Sequence, residues 1–232
     1  MKRFYASVVL LLVCCLAAIV GSICLGHFRR TSSLAKILFS APDGSLCRTL
    51  CLIGVEPDQS DMFATLRALS VLKQLEFYTP NSPGDRVEGY QANAIRIQAS
   101  EQRQWIEVQF AQNFAGTPPT SYPLPEALKG DVSLAEVIAV FGPPEHVLAN
   151  SFLTARNGRS YSQSGILLFF RRDRYLAMGI VLTDSEKLDM TAALSYLSVT
   201  AASQTGLDLN NLQHLPPWQG FVTIDRYRLF NH

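Results

Sequence analysis

Cys47 and Cys51 are the residues of this chain whose type and spacing point most directly to a defined chemistry. They form the pair CRTLC just after a run of turn formers, Ala41-Pro42-Asp43-Gly44-Ser45, and no other cysteine lies outside the apolar N-terminal run. A pair this close suits an extracytoplasmic disulfide closing a tiny loop, worth about 2 kcal/mol by loop entropy. Two reduced, half-buried thiols are the alternative. Zinc needs four ligands, and His27, His146, His214 and His232 stand singly, with no second Cys or Cys/His pair at a suitable spacing.

Acid–base chemistry has one local candidate, Glu145-His146. A glutamate can orient a histidine base, but neighbours in a strand point to opposite faces, so a solvated loop end competes with that reading. Asp184, Glu186 and Asp189 surround an expected helix start, where carboxylates offset the positive helix end; divalent-cation binding is the alternative. Trp218 with Phe221, and Trp105, Phe110, Phe114 and Tyr122, would line a partner groove or fill a sheet core. No G-x-S-x-G, H-E-x-x-H or G-x-x-x-x-G-K-[ST] occurs. We therefore assign no catalytic, cofactor-binding or metal-ligating residue, and keep Glu145, His146 and Trp218 as functional candidates.

The elements that would position these residues begin with Phe4 to Gly26, which hold no charge. As a helix this run spans roughly 35 Å, against about 30 Å for a hydrocarbon core. It predicts a membrane anchor over 1–28, longer than the apolar region of a cleaved signal peptide, with the lipid bilayer met through residues 4–26. Flanking basic residues Lys2, Arg3, Arg29, Arg30 and Lys36 leave the orientation nearly tied, and the cysteine pair tips it to an extracytoplasmic C-terminal domain. A juxtamembrane linker follows over 29–46.

The whole chain is 48% hydrophobic and 17% charged, with a net charge of +1. That composition supports a packed core and offers no electrostatic footprint for nucleic acid. A helix is predicted from Ser60 along Met62, Phe63, Leu66 and Leu69, then strands over Ala94–Gln98 and Trp105–Phe110. These make a first α+β unit, 47–116. A Pro-rich connector over 117–128 leads to a second unit, 129–232. It opens on the capping box Ser133-Leu134-Ala135-Glu136, whose helix stops at Gly142-Pro143-Pro144. A strand meander follows, then an expected helix over Glu186–Ala202 and a final strand over Phe221–Ile224 and Tyr227–Phe230. The expected fold class is thus α+β: an N-terminal single transmembrane helix followed by a two-layer domain of two helix-then-antiparallel-strands units.

Two stretches carry a resemblance. GDVSLAEVIAVFGPPEHV, Gly130 to Val147, resembles the repeat of the small-protein-A outer-membrane lipoproteins and the related β-lactamase-inhibitor-like domains. CRTLCLIGVEPDQS is similar to an opening seen in uncharacterised bacterial membrane-anchored proteins, usually C-x-x-P-C-W-x-G-I-x-P-G-x-T; here Leu50, Leu52 and Asp58 replace its Pro, Trp and Gly. The first resemblance implies a helix-plus-sheet adaptor that binds a protein partner in the cell envelope and does no chemistry. The functional expectation is an extracytoplasmic protein-binding, adaptor or sensor-like module. The alternatives are a membrane-tethered hydrolase assembled from His146, Glu145, Asp184 and His214, and an enzyme-inhibitor-like domain.

Overall fold

A computed structural model describes residues 33–228 except 42, 48, 49, 82, 111–123, 157, 158, 173, 184 and 202–211; at 152–156 and 159–163 it describes the backbone alone. The described residues include the short helices α1 (Ser33–Leu38), α2 (Met62–Ala68) and α3 (Leu134–Phe141). The strands are β1 (Glu76–Tyr78), β2 (Val87–Ala92), β3 (Ile95–Ser100), β4 (Trp105–Phe110), β5 (His146–Arg156), β6 (Arg159–Arg172), β7 (Tyr175–Leu182) and β8 (Leu194–Ala201). All eight form one antiparallel sheet, in the order β1-β2-β3-β4-β8-β7-β6-β5.

This overturns the expected two-layer domain of two helix-then-antiparallel-strands units. The strands of both segments belong to one continuous sheet, and among the described residues helix is a minor component. The decisive contact is β4 on β8, with Ile106 opposite Val199 and Val108 opposite Leu197. Backbone groups that would line the inner edges of two separate sheets are satisfied across this seam. Among the described residues no helix is long and apolar enough to cross a membrane. The run 4–26 lies outside the described residues.

Alternation along the strands builds the core. Phe77, Tyr90, Ile97, Val108, Leu197, Gly179, Leu168 and Val147 make one cross-strand row over the whole sheet. Except at the Phe77 end its side chains are buried, and Leu34 and Leu38 of α1, Met62 and Leu66 of α2, and Leu134 and Val137 of α3 join the same core. One residue along each strand, the opposite face carries the row Tyr78, Gly89, Gln98, Glu107, Ser198, Met178, Phe169 and His146. Gly89 is required there, because a Cβ would stand 2.5 Å from the Tyr78 ring, which lies across β2 and whose hydroxyl accepts from the Gln98 amide.

Three local expectations change. The helix from Ser60 is the shorter α2, because Leu69 is already extended. The expected helix over Glu186–Ala202 is a turn followed by β8, a central strand buried on most positions of both faces. Such burial removes the apolar–polar alternation by which a strand is recognised. The expected C-terminal strand is replaced by a 3₁₀ turn, Ile224–Tyr227. The Tyr227 hydroxyl accepts from the Gln219 amide and donates to the Gly220 carbonyl, holding the chain in a compact fold-back.

Candidate functional site

Glu145, His146 and Trp218 come together at the outermost strand of the sheet. The segment 212–218 crosses the start of β5 as a strap. His146 bridges Pro217, the Val147 amide donates to the Pro216 carbonyl at 2.9 Å, and the Trp218 amide donates to the Glu145 carbonyl at 3.2 Å. His146 Nδ1 lies 3.2 Å from the Leu215 carbonyl, a distance that suits donation from the Nδ1–H tautomer. Leu212 and Leu215 of the strap pack on Phe169, Leu176 and Met178, covering the apolar half of the second sheet face. Trp218 stacks on Tyr227, with centroids 6.0 Å apart, and meets Phe221 edge-on at 5.4 Å.

The histidine is therefore engaged in holding the strap. Its Nε2 lies 3.9 Å from the exposed Glu145 carboxylate, and among the described residues no hydroxyl or thiol stands in hydrogen-bond contact with it. His214 is exposed. Asp184, Phe114 and Tyr122 lie outside the described residues. Asp189 accepts from the Thr191 amide and hydroxyl, which closes a turn and holds its carboxyl below the usual range. The Glu186 backbone carbonyl accepts from the Ile224 amide, tying down the 3₁₀ turn. Among the described residues no group of three or more His, Cys, Asp or Glu side chains is arranged to hold a metal ion.

Cys47 and Cys51 stand at disulfide distance, their Cα atoms 5.9 Å apart. The chain after them is clamped to the β6–β7 hairpin. The Tyr175 hydroxyl lies 2.5 Å from Asp58 Oδ1 and 3.1 Å from Glu56 Oε2, so its single proton serves one carboxylate at a time. Arg174 Nε sits 3.1 Å from Asp58 Oδ2. Burial first, and donation to Asp58 next, push the phenol well above its ordinary range. With Arg174 paired to Asp58 and, at 3.9 Å, to Glu56, this cluster is a fastening.

A polar network on the second sheet face went unnoticed in the sequence. Glu107 accepts from the Tyr196 hydroxyl at 2.7 Å and from the Gln109 amide at 2.8 Å. Burial raises the Glu107 carboxyl above its ordinary value, although these two bonds and the nearby Arg96 charge pull it down. The same burial, with the Glu107 charge next, raises Tyr196. A folded pKa above the unfolded one means that the native state binds the proton more tightly, so stability is lost as pH rises from about 4.5 through the raised value. Glu107→Gln should flatten that part of the profile. Urea midpoints from pH 4 to 7 would show it, and an unchanged slope would remove Glu107 as its source.

No family model, curated protein or solved structure matches this chain.

The feature that singles out this corner is the strand edge itself. Beyond the strap, β5 continues from Leu148 to Arg156, and among the described residues no strand lies on its outer side. A groove of about 490 Å³ lies over the β5–β6 hairpin, lined by Leu148, Ala149, Asn150 and Ser151 of β5, Ser164 of β6, and Ile224 and Arg228.

Proposed function

We propose that this chain is a membrane-attached protein-binding module with an extracytoplasmic domain, held at the lipid bilayer by residues 4–26 and acting on a protein partner of the cell envelope. The observation that carries the reading is the length of β5 that has no strand on its outer side among the described residues, next to candidate residues whose polar atoms hold a strap. Backbone edges and grooves recognise extended polypeptide, whereas acid–base work needs partners within hydrogen-bond reach. The hydrolase alternative gains no support from the described residues, since His146 is paired with the Leu215 carbonyl.

Photo-crosslinking in living cells tests the binding part. A benzophenone amino acid at Ala149, or at the exposed Leu46, Phe77 or Met190, should give light-dependent protein adducts from at least one position. Adducts from none of the four would overturn it. The compartment is tested on the Cys47–Cys51 bond. A membrane-impermeant reductant added to intact cells should make both thiols reactive to maleimide after denaturation. Thiols that react without any reductant would put the domain in the cytoplasm.

A further inference from the structure

We propose that the Cys47–Cys51 pair is a redox latch: closed, it keeps the turn Leu52–Val55 seated in the core, and opened by a dithiol it lets the segment 50–58 lift away while the sheet stays folded. Such a device works whether or not the chain binds a protein partner.

The turn adopts a backbone that its own sequence disfavours. Leu52 and Val55 exchange both backbone hydrogen bonds, at 3.1 and 3.0 Å, around Ile53 and Gly54, whose φ angles are +57° and +72°. A two-residue turn with both central residues left-handed is the Asn-Gly type. Gly54 suits it. Ile53 does not, because a β-branched side chain in the left-handed region crowds its own backbone. That conformation persists only where the surroundings over-determine it.

Three restraints act on this turn. Ile53 is 3% exposed, in the core with Leu50, Leu52 and Val55, and its amide donates to the Leu38 carbonyl at 2.7 Å. Past the turn, Glu56 and Asp58 meet Tyr175 and Arg174. Before it stands the cysteine pair. The Cys47 amide donates to the Phe39 carbonyl at 2.9 Å and Leu46 bridges Ser40, so a closed bond ties the entry of the turn to the chain leaving α1. Opening the bond returns conformational freedom to that entry, and the left-handed Ile53 then favours release.

The pair lies just beneath the surface. Cys47 is 8% exposed, more than Cys51, and it follows Leu46, which is 60% exposed. A reductant thiolate attacks Cys47 Sγ, forming a mixed disulfide and releasing Cys51 as a thiolate. The second thiolate of the reductant then displaces Cys47. Two electrons pass from the dithiol to the protein, the two protons given up by the dithiol end on the cysteines, and the reductant leaves as its own disulfide.

The test uses the full-length chain in detergent, with dithiothreitol as the dithiol. Maleimide trapping read by mass should find both thiols free in the folded protein after reduction, and the bond re-formed once oxidised dithiothreitol is added. Hydrogen exchange at the Ile53 and Val55 amides should be at least about tenfold faster in the reduced protein, with β3 and β4 unchanged. Asp58→Asn loosens the far end of the segment, so it should speed Ile53 by less than about threefold with the bond closed and by at least about tenfold with it open. Cys47→Ser with Cys51→Ser should exchange as the reduced protein does whatever the reductant; should that variant misfold, the reduced, unaltered chain gives the same reading. A pair that reduces only in urea or fails to re-form, unchanged exchange at Ile53 and Val55, acceleration spread evenly over β3 and β4, or an equal effect of Asp58→Asn in the two states would each overturn the latch.

Discussion

Phe170→Ala is expected to remove about 4 kcal/mol of stability, within the usual range for deleting a buried aromatic ring. Phe170 of β6 is 1% exposed, and its ring meets Phe141 of α3 edge-on at 5.9 Å; Phe141 in turn meets Phe39, just past α1, edge-on at 5.2 Å. Three rings thus join the sheet to two helices that are too short to be stable alone. Edge-to-face contacts add to the area term, and the residual cavity adds a further cost because the surrounding strands are fixed by their ladders. A domain of this kind has a total stability of about 5–15 kcal/mol, so a large part would disappear. Urea unfolding followed by circular dichroism measures it. Phe170→Leu, which keeps most of the volume, should lose well under half as much, and a loss below about 1 kcal/mol for the alanine variant would show that the stack is not central.

The parts of this architecture legible in the sequence are those specified by near neighbours. Ser133 and Glu136 form the capping box their spacing announces, the Glu136 amide donating to Ser133 Oγ at 3.3 Å and the Ser133 amide to Glu136 Oε2 at 2.8 Å. Strands β3 and β4 follow the alternation of Ile95-Arg96-Ile97 and Ile106-Glu107-Val108. What was not legible depends on distant partners. Leu194 and Leu197 sit at helical spacing, and only the flanking strands β4 and β7 make their segment a strand. Val87 to Gly89 of β2 follow Pro83 and Gly84, so their turn formers masked the pairing with β3. The candidate site behaves likewise. Glu145, His146 and Trp218 were visible one by one, but the bridge from His146 to Pro217 has no periodicity to betray it. Nothing distinguishes Glu107 from any other outward residue of an alternating strand until Tyr196 is brought against it.

Arg67→Met should cost about 3 kcal/mol, because it strands a buried carboxylate. Glu88 of β2 is 3% exposed, and Arg67 of α2 meets it with both Nε, at 3.0 Å from Oε2, and Nη2. A second arginine, Arg86, reaches Glu88 Oε1 only at 3.6 Å, so it would relieve part of the loss and no more. The pair is not thereby a large net source of stability. Desolvating both charges consumes most of their attraction, and a buried pair replaced by apolar residues of similar size is often neutral or better. Arg67→Met combined with Glu88→Leu should therefore recover most of the stability lost by the first change. The coupling from the double-mutant cycle is expected at about 2 kcal/mol or more. What the pair supplies is position: α2 is seven residues long, its N-cap Asp61 makes no side-chain cap bond, and Arg67 in its last turn fixes it over β2. Hydrogen exchange in α2 should accelerate in the single variant while β7 and β8 stay protected. Uniform acceleration across the sheet would instead make Glu88 a constraint on the whole core, and would move the weak point of the domain from α2 to β2.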